Sequence, residues 1–223
     1  MAGFAAVLRK DLRLELRSGE STISLAALAL LVLVVLVFSL ERTGAESADT
    51  AAGALWVALV FAGLLSATRA LSAERENGCI RGLLMSPLDP GALFVSKLAA
   101  AFVFMTVAEG AVVALMILLF NLEIHSGLAL LIVPLVLGTA GFAAVASLLA
   151  AISSRTRASE LLLPLLAVPM FVPALIAGVR ASAAALGGAP LSAMLDWLGI
   201  LAAFDVLFVT AGYLLFEQVI GED

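Results

Sequence analysis

Residues 127–152 read GLALLIVPLVLGTAGFAAVASLLAAI and contain no charged side chain. An α-helix rises 1.5 Å per residue, so an apolar run of this length is long enough to cross the hydrocarbon core of a bilayer, which is about 30 Å thick. The apolar residues follow one another without the alternation that a transmembrane β-strand needs. The stretch therefore predicts a transmembrane α-helix.

Five further apolar runs flank this stretch, at residues 23–40, 50–70, 91–120, 161–179 and 197–219. Of the 223 residues, 63% are hydrophobic and 13% charged, and the mean hydropathy is +1.18. Soluble domains carry about 25% charged residues, so the composition excludes a soluble enzyme. The sequence predicts one all-α integral membrane domain over residues 1–223, with six spans.

The first twenty residues predict a separate helix. Apolar side chains recur there at helical spacing, with the charged residues mostly on the other side: Phe4, Val7, Leu8, Leu12 and Leu16. This pattern is typical of an amphipathic helix that lies in the membrane interface. The alternative is a solvated cap helix. A cleavable signal peptide is not indicated, because the charges are spread along the segment.

The positive charges predict the orientation, since cytoplasmic connections are enriched in Lys and Arg. Ten of the twelve lie in the N-terminal arm or in the second and fourth connections: Arg9, Lys10, Arg13, Arg17, Arg69, Arg75, Arg81, Lys97, Arg155 and Arg157. Arg42 and Arg180 are the two in the other connections. Both termini are therefore expected in the cytoplasm of a multi-pass protein.

The longest polar piece between spans is SAERENGCIRGLLMSPLDP, residues 72–90. Glu74, Arg75 and Glu76 extend the helical end of the second span, and Gly78 can end that helix by adopting a positive φ. We call residues 72–90 the coupling segment, for the role predicted next.

The second half of the coupling segment predicts a short amphipathic helix. Ile80, Leu83 and Leu84 share one face, and Pro87 and Pro90 end the helix. A short cytosolic helix with charge and an apolar face suits docking of a partner protein. The alternative is a solvated turn, but most helix–helix connections have only about 2–8 residues.

Two carboxyls fall inside predicted spans, Glu109 in the third and Asp205 in the sixth. Glu109 lies about 18 Å beyond Lys97 along the third span, and Asp205 about 12 Å from the outer end of the sixth, so they are expected at comparable depth. An ionisable group at the centre of a membrane helix costs at least about 2.5–3.5 kcal/mol, so both should face the bundle interior or a partner helix. Either they act in coupling or in a partner contact, or they are structural and bonded to hydroxyls such as Thr106 and Thr210.

The sequence contains no motif for a metal, catalytic, nucleic-acid or nucleotide site. It has one cysteine and one histidine, which excludes an intrachain disulfide, a cysteine metal cage and paired imidazoles. No catalytic constellation and no basic stripe for nucleic acid is present. The phosphate-loop pattern G-x-x-x-x-G-K-[ST] is absent too, so nucleotide energy would have to come from a partner.

Two function classes follow: a non-catalytic transport subunit driven by a cytosolic ATPase, or a self-contained secondary transporter or passive assembly scaffold. Secondary transporters often have paired broken helices. Only the fifth span has such a pattern, with Pro164, Pro169 and Pro173 predicting a kink or break. Residues 181–195 then predict one or two short helices that dip back into the outer leaflet.

Motifs in order along the chain resemble the CcmB family, the six-span membrane subunits of the ABC-type complex of cytochrome c maturation. They are Gly53-Ala-Leu-Trp56-Val, Glu74-Arg75-Glu76-Asn77-Gly78, Leu83-Leu84-Met85-Ser86-Pro87-Leu88 and Val168-Pro169-Met170-Phe171-Val172-Pro173. The opening Leu8-Arg9-Lys10-Asp11-Leu12 is similar to the start of that family. The resemblance covers most of the chain.

The resemblance implies an ABC-2-type permease fold in the bacterial inner membrane, with two copies paired. Each copy would dock a CcmA-like ATPase, which binds ATP and magnesium, through the helix around Glu74 to Leu84. A CcmC-like protein, with a small CcmD-like subunit, would present haem at the outer face. ATP-driven motion would release a haem-loaded CcmE-like chaperone, so the complex handles haem and this chain alone binds no cofactor. The alternative within this class is an ABC-2 permease for a lipid, glycan or drug.

Overall fold

The computed structural model of the protein describes residues 20–41, 48–76, 90–119, 126–153 and 159–221. The described ranges are helical and contain no strand, which confirms the all-α class. Seven α-helices are described: α1 Glu20–Glu41, α2 Ala48–Glu76, α3 Pro90–Leu119, α4 Ser126–Leu130, α5 Ile132–Ser153, α6 Ser159–Leu186 and α7 Leu195–Gly221.

Four stretches of the described chain are long and apolar enough to cross a membrane. They are Pro90–Leu119, Leu128–Ile152, Leu165–Leu186 and Leu195–Phe216. The described parts of α1 and α2 add shorter apolar stretches, Ala27–Leu36 and Ala48–Phe61. The helices thus follow the predicted apolar runs; α3, for example, lies within one residue of the run at 91–120 at either end.

The fourth predicted span is interrupted near its start. A turn at Leu131 separates α4 from α5. Pro134 lies three residues beyond that turn and has no amide hydrogen. It therefore cannot donate to the carbonyl of Leu130, the last residue of α4, as another residue at position 134 of a helix would. The Leu135 amide donates to the Leu131 carbonyl at 3.3 Å and starts the next turn.

Of the kink or break predicted in the fifth span, the break is wrong. Helix α6 is continuous from Ser159 to Leu186, although it contains Pro164, Pro169 and Pro173. Each proline removes only one backbone donor, and packing against neighbouring helices can compensate for that loss. Pro169 and Pro173 lie on the exposed side of α6.

Of the one or two short helices predicted at residues 181–195, the structure has one, at Leu191–Ala193, and the first part of the segment is different. Residues 181–186 continue α6, because Ala181, Ser182 and Ala185 are buried against the bundle. The chain turns at Gly188, whose φ of 74° suits glycine. A short 3-10 helix at Leu191–Ala193 then leads directly into α7.

Helix α5 lies at the centre of the bundle and packs against α2, α3, α6 and α7. Every residue from Gly141 to Ala151 on α5 is buried. Helix α2 packs mainly on α6 and α1, and α1 contacts only α2 and α3 closely among the described helices. A side chain on α5 can therefore meet partners from four other helices.

Helices α2, α5 and α6 pack closely around Trp56 of α2. Its ring is fully buried between Gly138 of α5 and Gly178 of α6, and a Cβ at either glycine would overlap it. The indole Nε1 donates to Ser182 Oγ at 2.8 Å, and Phe142 meets the ring edge-on at a centroid distance of 5.9 Å. We call Trp56, Gly138, Phe142, Gly178 and Ser182 the Trp56 cluster.

Two predicted segments fall outside the described residues. Of the interfacial helix at residues 1–20, only Glu20 is described, as the first residue of α1. Of the coupling segment, α2 runs to Glu76 as predicted and α3 begins at Pro90. The residues between them, 77–89, lie outside the description, and with them Gly78, Ile80, Leu83 and Leu84.

Candidate functional site

Glu109 lies on α3 and is 5% exposed, with its side chain directed into the bundle. Thr139 of α5 donates its hydroxyl hydrogen to Glu109 Oε2 at 2.7 Å. Oε1 is buried and has no hydrogen-bond partner among the described residues. The carboxyl therefore bridges α3 to α5 through one of its two oxygens.

The predicted hydroxyl partner of Glu109 was the wrong threonine. The Thr106 hydroxyl donates to the Phe102 carbonyl of its own helix at 2.8 Å, and Thr106 is exposed. A threonine in a helix commonly bonds the carbonyl four residues before it. The hydroxyl that reaches Glu109 comes from a neighbouring helix instead.

Asp205 lies on α7 and is half-buried against α5. A Cβ at Gly141 would lie 2.6 Å from Asp205 Oδ1, so the absence of a side chain at Gly141 is what admits the carboxyl. Oδ1 is buried and has no hydrogen-bond partner among the described residues. Thr210, the other hydroxyl that the sequence suggested, is exposed.

The two carboxyls meet α5 at nearly the same level. Their contact residues, Thr139 and Gly141, are two positions apart, which is about 3 Å along the helix axis. Glu109, Thr139, Gly141 and Asp205 therefore form one polar layer across α3, α5 and α7. The layer contains the two intramembrane carboxyls that the sequence predicted, and they meet different sides of α5, because two positions turn an α-helix by about 200°.

The Trp56 cluster is a polar contact that the sequence analysis missed. Trp56 and Ser182 are 126 positions apart, so no local pattern links them. Two features could have suggested the contact: a single tryptophan amid small residues of α2, and an isolated glycine at 138 in an apolar span.

The predicted docking residues fall at the end of α2 and beyond it. Glu74, Arg75 and Glu76 are the last residues of α2. Helices α2 and α3, which flank residues 77–89, are the longest described helices, with 29 and 30 residues. At 1.5 Å per residue α2 is about 44 Å long, which exceeds the hydrocarbon core of about 30 Å.

The described residues contain no group of three or more His, Cys, Asp or Glu that could hold a metal ion. Cys79 and His125, the single residues of their types, lie outside the description. The polar groups described inside the bundle are therefore hydroxyls, the Trp56 indole N–H and the two carboxyls.

The chain matches the model of a family described as CcmB protein over residues 2–216. It is 32% identical to heme exporter protein B of Paracoccus denitrificans, over 85% of this chain and 87% of the relative. It is also 32% identical to heme exporter protein B of Rhodobacter capsulatus, over 78% and 80%. For heme exporter protein B of Pseudomonas aeruginosa the identity is 30%, over 90% and 89%. The similarity thus covers at least 78% of this chain and at least 80% of each of these three relatives.

Proposed function

The chain belongs to the CcmB family, and from this premise we propose that it is the permease subunit of an ABC-type haem exporter complex that acts in cytochrome c biogenesis. The observation that carries the proposal is the match, over most of the chain, to relatives that bear the name heme exporter protein B. The described helices agree with a multi-pass membrane protein, as the family requires. The subunit has no enzymatic activity of its own in this proposal.

The energy source is a separate cytosolic ATPase. This is supported by the sequence, which lacks a phosphate-loop motif and has Lys10 and Lys97 as its only lysines. We place the docking site on the coupling segment, at residues 72–90. The length of α2 favours this site, because the helix ending at Glu76 is about 14 Å longer than the hydrocarbon core.

The remaining partners follow from the family resemblance. Two copies of the chain would pair in the bacterial inner membrane, with both termini in the cytoplasm. A CcmC-like protein and a small CcmD-like subunit would present haem at the outer face. ATP hydrolysis on the CcmA-like subunit would then drive release of the haem-loaded CcmE-like chaperone.

The single native cysteine gives a direct test of orientation and docking. Cys79 lies in the coupling segment and is the only thiol in the chain. A membrane-impermeant maleimide should label it in inside-out vesicles and not in intact spheroplasts. Addition of the ATPase subunit to stripped vesicles should protect it. A Cys79→Ser variant serves as the control for labelling of other proteins.

Charge substitution tests the coupling segment itself. Arg75→Glu should release the ATPase from the detergent-purified complex and abolish formation of c-type cytochromes. Arg180→Glu is the matched control, because Arg180 is exposed on α6, six residues before that helix ends at Leu186 on the predicted outer side. Labelling of Cys79 from the outside, or an ATPase that stays bound to the Arg75→Glu variant, would contradict the docking proposal.

A further experiment distinguishes a haem exporter from an exporter of another substrate. Deletion of the chain should remove c-type cytochromes, detected by haem staining after gel electrophoresis. If cytochromes persist while the ATPase still co-purifies, an ABC-2 permease for a lipid, glycan or drug would replace the haem assignment. If the chain works without any ATPase, the secondary transporter or scaffold class would replace both.

A further inference from the structure

Asp205 lies near the middle of a membrane-spanning helix, and the bundle does not enclose it completely. It is ten residues from Leu195 and eleven from Phe216, the ends of the apolar stretch of α7, so it is about 15 Å from either end. Oδ1 is buried beside Gly141, but the side chain as a whole is only half-buried. The other oxygen, Oδ2, is therefore left at the surface of the bundle, at the depth of the hydrocarbon core.

Glu109, the other ionisable side chain near the middle of the four long described spans, is placed differently. It is 5% exposed, and Thr139 donates to its Oε2 atom. A contact with a neighbouring helix of the same chain therefore accounts for its position. Asp205 has no hydrogen-bond partner among the described residues. Its position is the one that contacts within the described chain do not explain.

A carboxyl at this depth needs a compensating group. Ionisable side chains inside a membrane cost at least about 2.5–3.5 kcal/mol and usually pair with one another. Helices α5 and α7, whose packing buries Oδ1, contain no Lys, Arg or His. Neither Lys97 of α3 nor Arg180 of α6 forms an ion pair with Asp205. The other Lys and Arg residues lie in the predicted N-terminal arm and connections, so the compensating group is expected from another molecule.

The surface around Asp205 suits a second helix. Ala202, Val206 and Val209 lie three residues before it, one after it and four after it, on the same side of α7. Val206 is 67% exposed, and the other two are partly exposed. Short side chains allow two membrane helices to approach closely. We call Ala202, Asp205, Val206 and Val209 the Asp205 face.

A second copy of this chain does not fit the Asp205 face. Two identical copies in one membrane are related by an axis along the membrane normal, so pairing through α7 would place both Asp205 side chains at the same depth. Two carboxyls that face each other disfavour ionisation of both, and neither copy brings a cation there. The charge of Asp205 therefore favours a different chain, with a basic side chain at this depth.

We propose that the Asp205 face binds a transmembrane helix of a different membrane protein, which places a Lys or Arg side chain against Asp205. The two charges compensate each other, and the small apolar residues beside Asp205 allow close helix packing. This inference requires only that the chain spans a membrane. It does not depend on the haem assignment or on the docking site of an ATPase.

Photocrosslinking in native membranes tests the Asp205 face directly. The full-length chain carries the substitution Val206→p-benzoylphenylalanine, which places a photoreactive ring next to Asp205. Val172→p-benzoylphenylalanine is the matched control, because Val172 is exposed on α6 and belongs to another face. We expect the first variant to form an adduct with a different membrane protein and the control not to form it. The crosslinked peptide, identified by mass spectrometry, should come from a membrane span that contains Lys or Arg.

Substitutions at Asp205 then test the charge. In the Val206→p-benzoylphenylalanine chain, Asp205→Asn keeps the size of the side chain and removes its charge. The adduct should fall at least about threefold, because 0.6 kcal/mol, the average for one hydrogen bond between membrane helices, is about a threefold change in binding. Asp205→Lys should abolish the adduct, and exchange of the partner's basic residue for Asp should restore it. The amount of chain in the membrane, measured in parallel, should stay at the wild-type level.

Four results overturn the proposal. The adduct contains a second copy of this chain, or it contains lipid and no protein. The crosslinked span of the partner has no Lys or Arg. Asp205→Asn leaves the adduct at its original level, or the adduct falls only in proportion to the amount of chain in the membrane, in which case Asp205 has a structural role alone.

Discussion

The Trp56 cluster and the polar layer both pack against α5 and both contain buried polar atoms. They differ in how many of those atoms have a hydrogen-bond partner. In the cluster, the indole N–H has its acceptor in Ser182, and the ring fills the space between two glycines. In the layer, Glu109 uses one oxygen, and Oδ1 of Asp205 has no partner among the described residues. A buried polar group without a partner costs free energy, so stability explains the cluster and does not explain the layer.

The largest expected effect is at Trp56. Trp56→Ala removes the ring contacts with Phe142, leaves Ser182 without its donor and opens a cavity between Gly138 and Gly178. Large-to-small changes of this kind cost about 3–5 kcal/mol. The loss should appear as a lower unfolding temperature of the detergent-purified chain, measured by size-exclusion chromatography after heating.

Trp197→Ala is the matched control for that change. Trp197 is the other tryptophan of the chain and is only half-buried, on α7. Its substitution should lower the unfolding temperature much less. An equal fall in unfolding temperature for the two variants would mean that the enclosed Trp56 stabilises the fold no more than the half-buried Trp197 does.

Overfilling the same cluster should have the next largest effect. Gly178→Ala places a methyl group where the Trp56 ring lies, and overpacking of a tight core costs about 1–3 kcal/mol. Gly53→Ala on α2 is the control, because nothing lies within 4 Å of its added Cβ. That control should be neutral or slightly stabilising, since alanine favours a helix over glycine. A Gly178→Ala chain that unfolds at the wild-type temperature would show that Trp56 can move aside.

The sequence predicted the described helices well and the contacts between them poorly. Continuous apolar runs and charged ends mark each span, so the run at 91–120 predicts Pro90–Leu119 closely. Proline is a weaker signal: Pro164, Pro169 and Pro173 suggested a break that packing of α6 prevents, while Pro134 accompanies a real one. A helix boundary depends on local residues, but the effect of a proline depends on its neighbours in space.

The polar layer shows the same limit at the level of single atoms. Burial of Glu109 and a hydroxyl partner could be predicted, because an unpaired carboxyl is costly inside a membrane. The identity of that partner could not. Thr106 is three positions away in sequence but bonds its own helix, whereas Thr139 is brought to Glu109 by the packing of α3 on α5.

Removing the one hydrogen bond of the layer should have a smaller effect than either change at the cluster. Thr139→Val deletes the donor to Glu109 Oε2 and keeps the shape of the side chain. Hydrogen bonds between membrane helices average about 0.6 kcal/mol, with a maximum near 1.7, so the unfolding temperature should fall slightly. Thr106→Val, which removes only a bond within α3, should leave it unchanged. A larger loss for Thr106→Val than for Thr139→Val would contradict the bridge between α3 and α5.

The smallest effect on stability is expected when both carboxyls are replaced by amides of the same shape. In Glu109→Gln with Asp205→Asn, the glutamine carbonyl can still accept from Thr139, so unfolding should change by no more than about 0.6 kcal/mol. Formation of c-type cytochromes should nevertheless fall at least about fivefold if the carboxyls act in coupling, because they join α3 and α7 to the central helix α5. Gly110→Ala and Gly199→Ala on the same helices are the controls. Wild-type stability together with wild-type cytochrome levels would show that the carboxyls have no role in coupling. A large loss of stability would show instead that the unpartnered oxygens do find partners, and the contrast with the Trp56 cluster would then disappear.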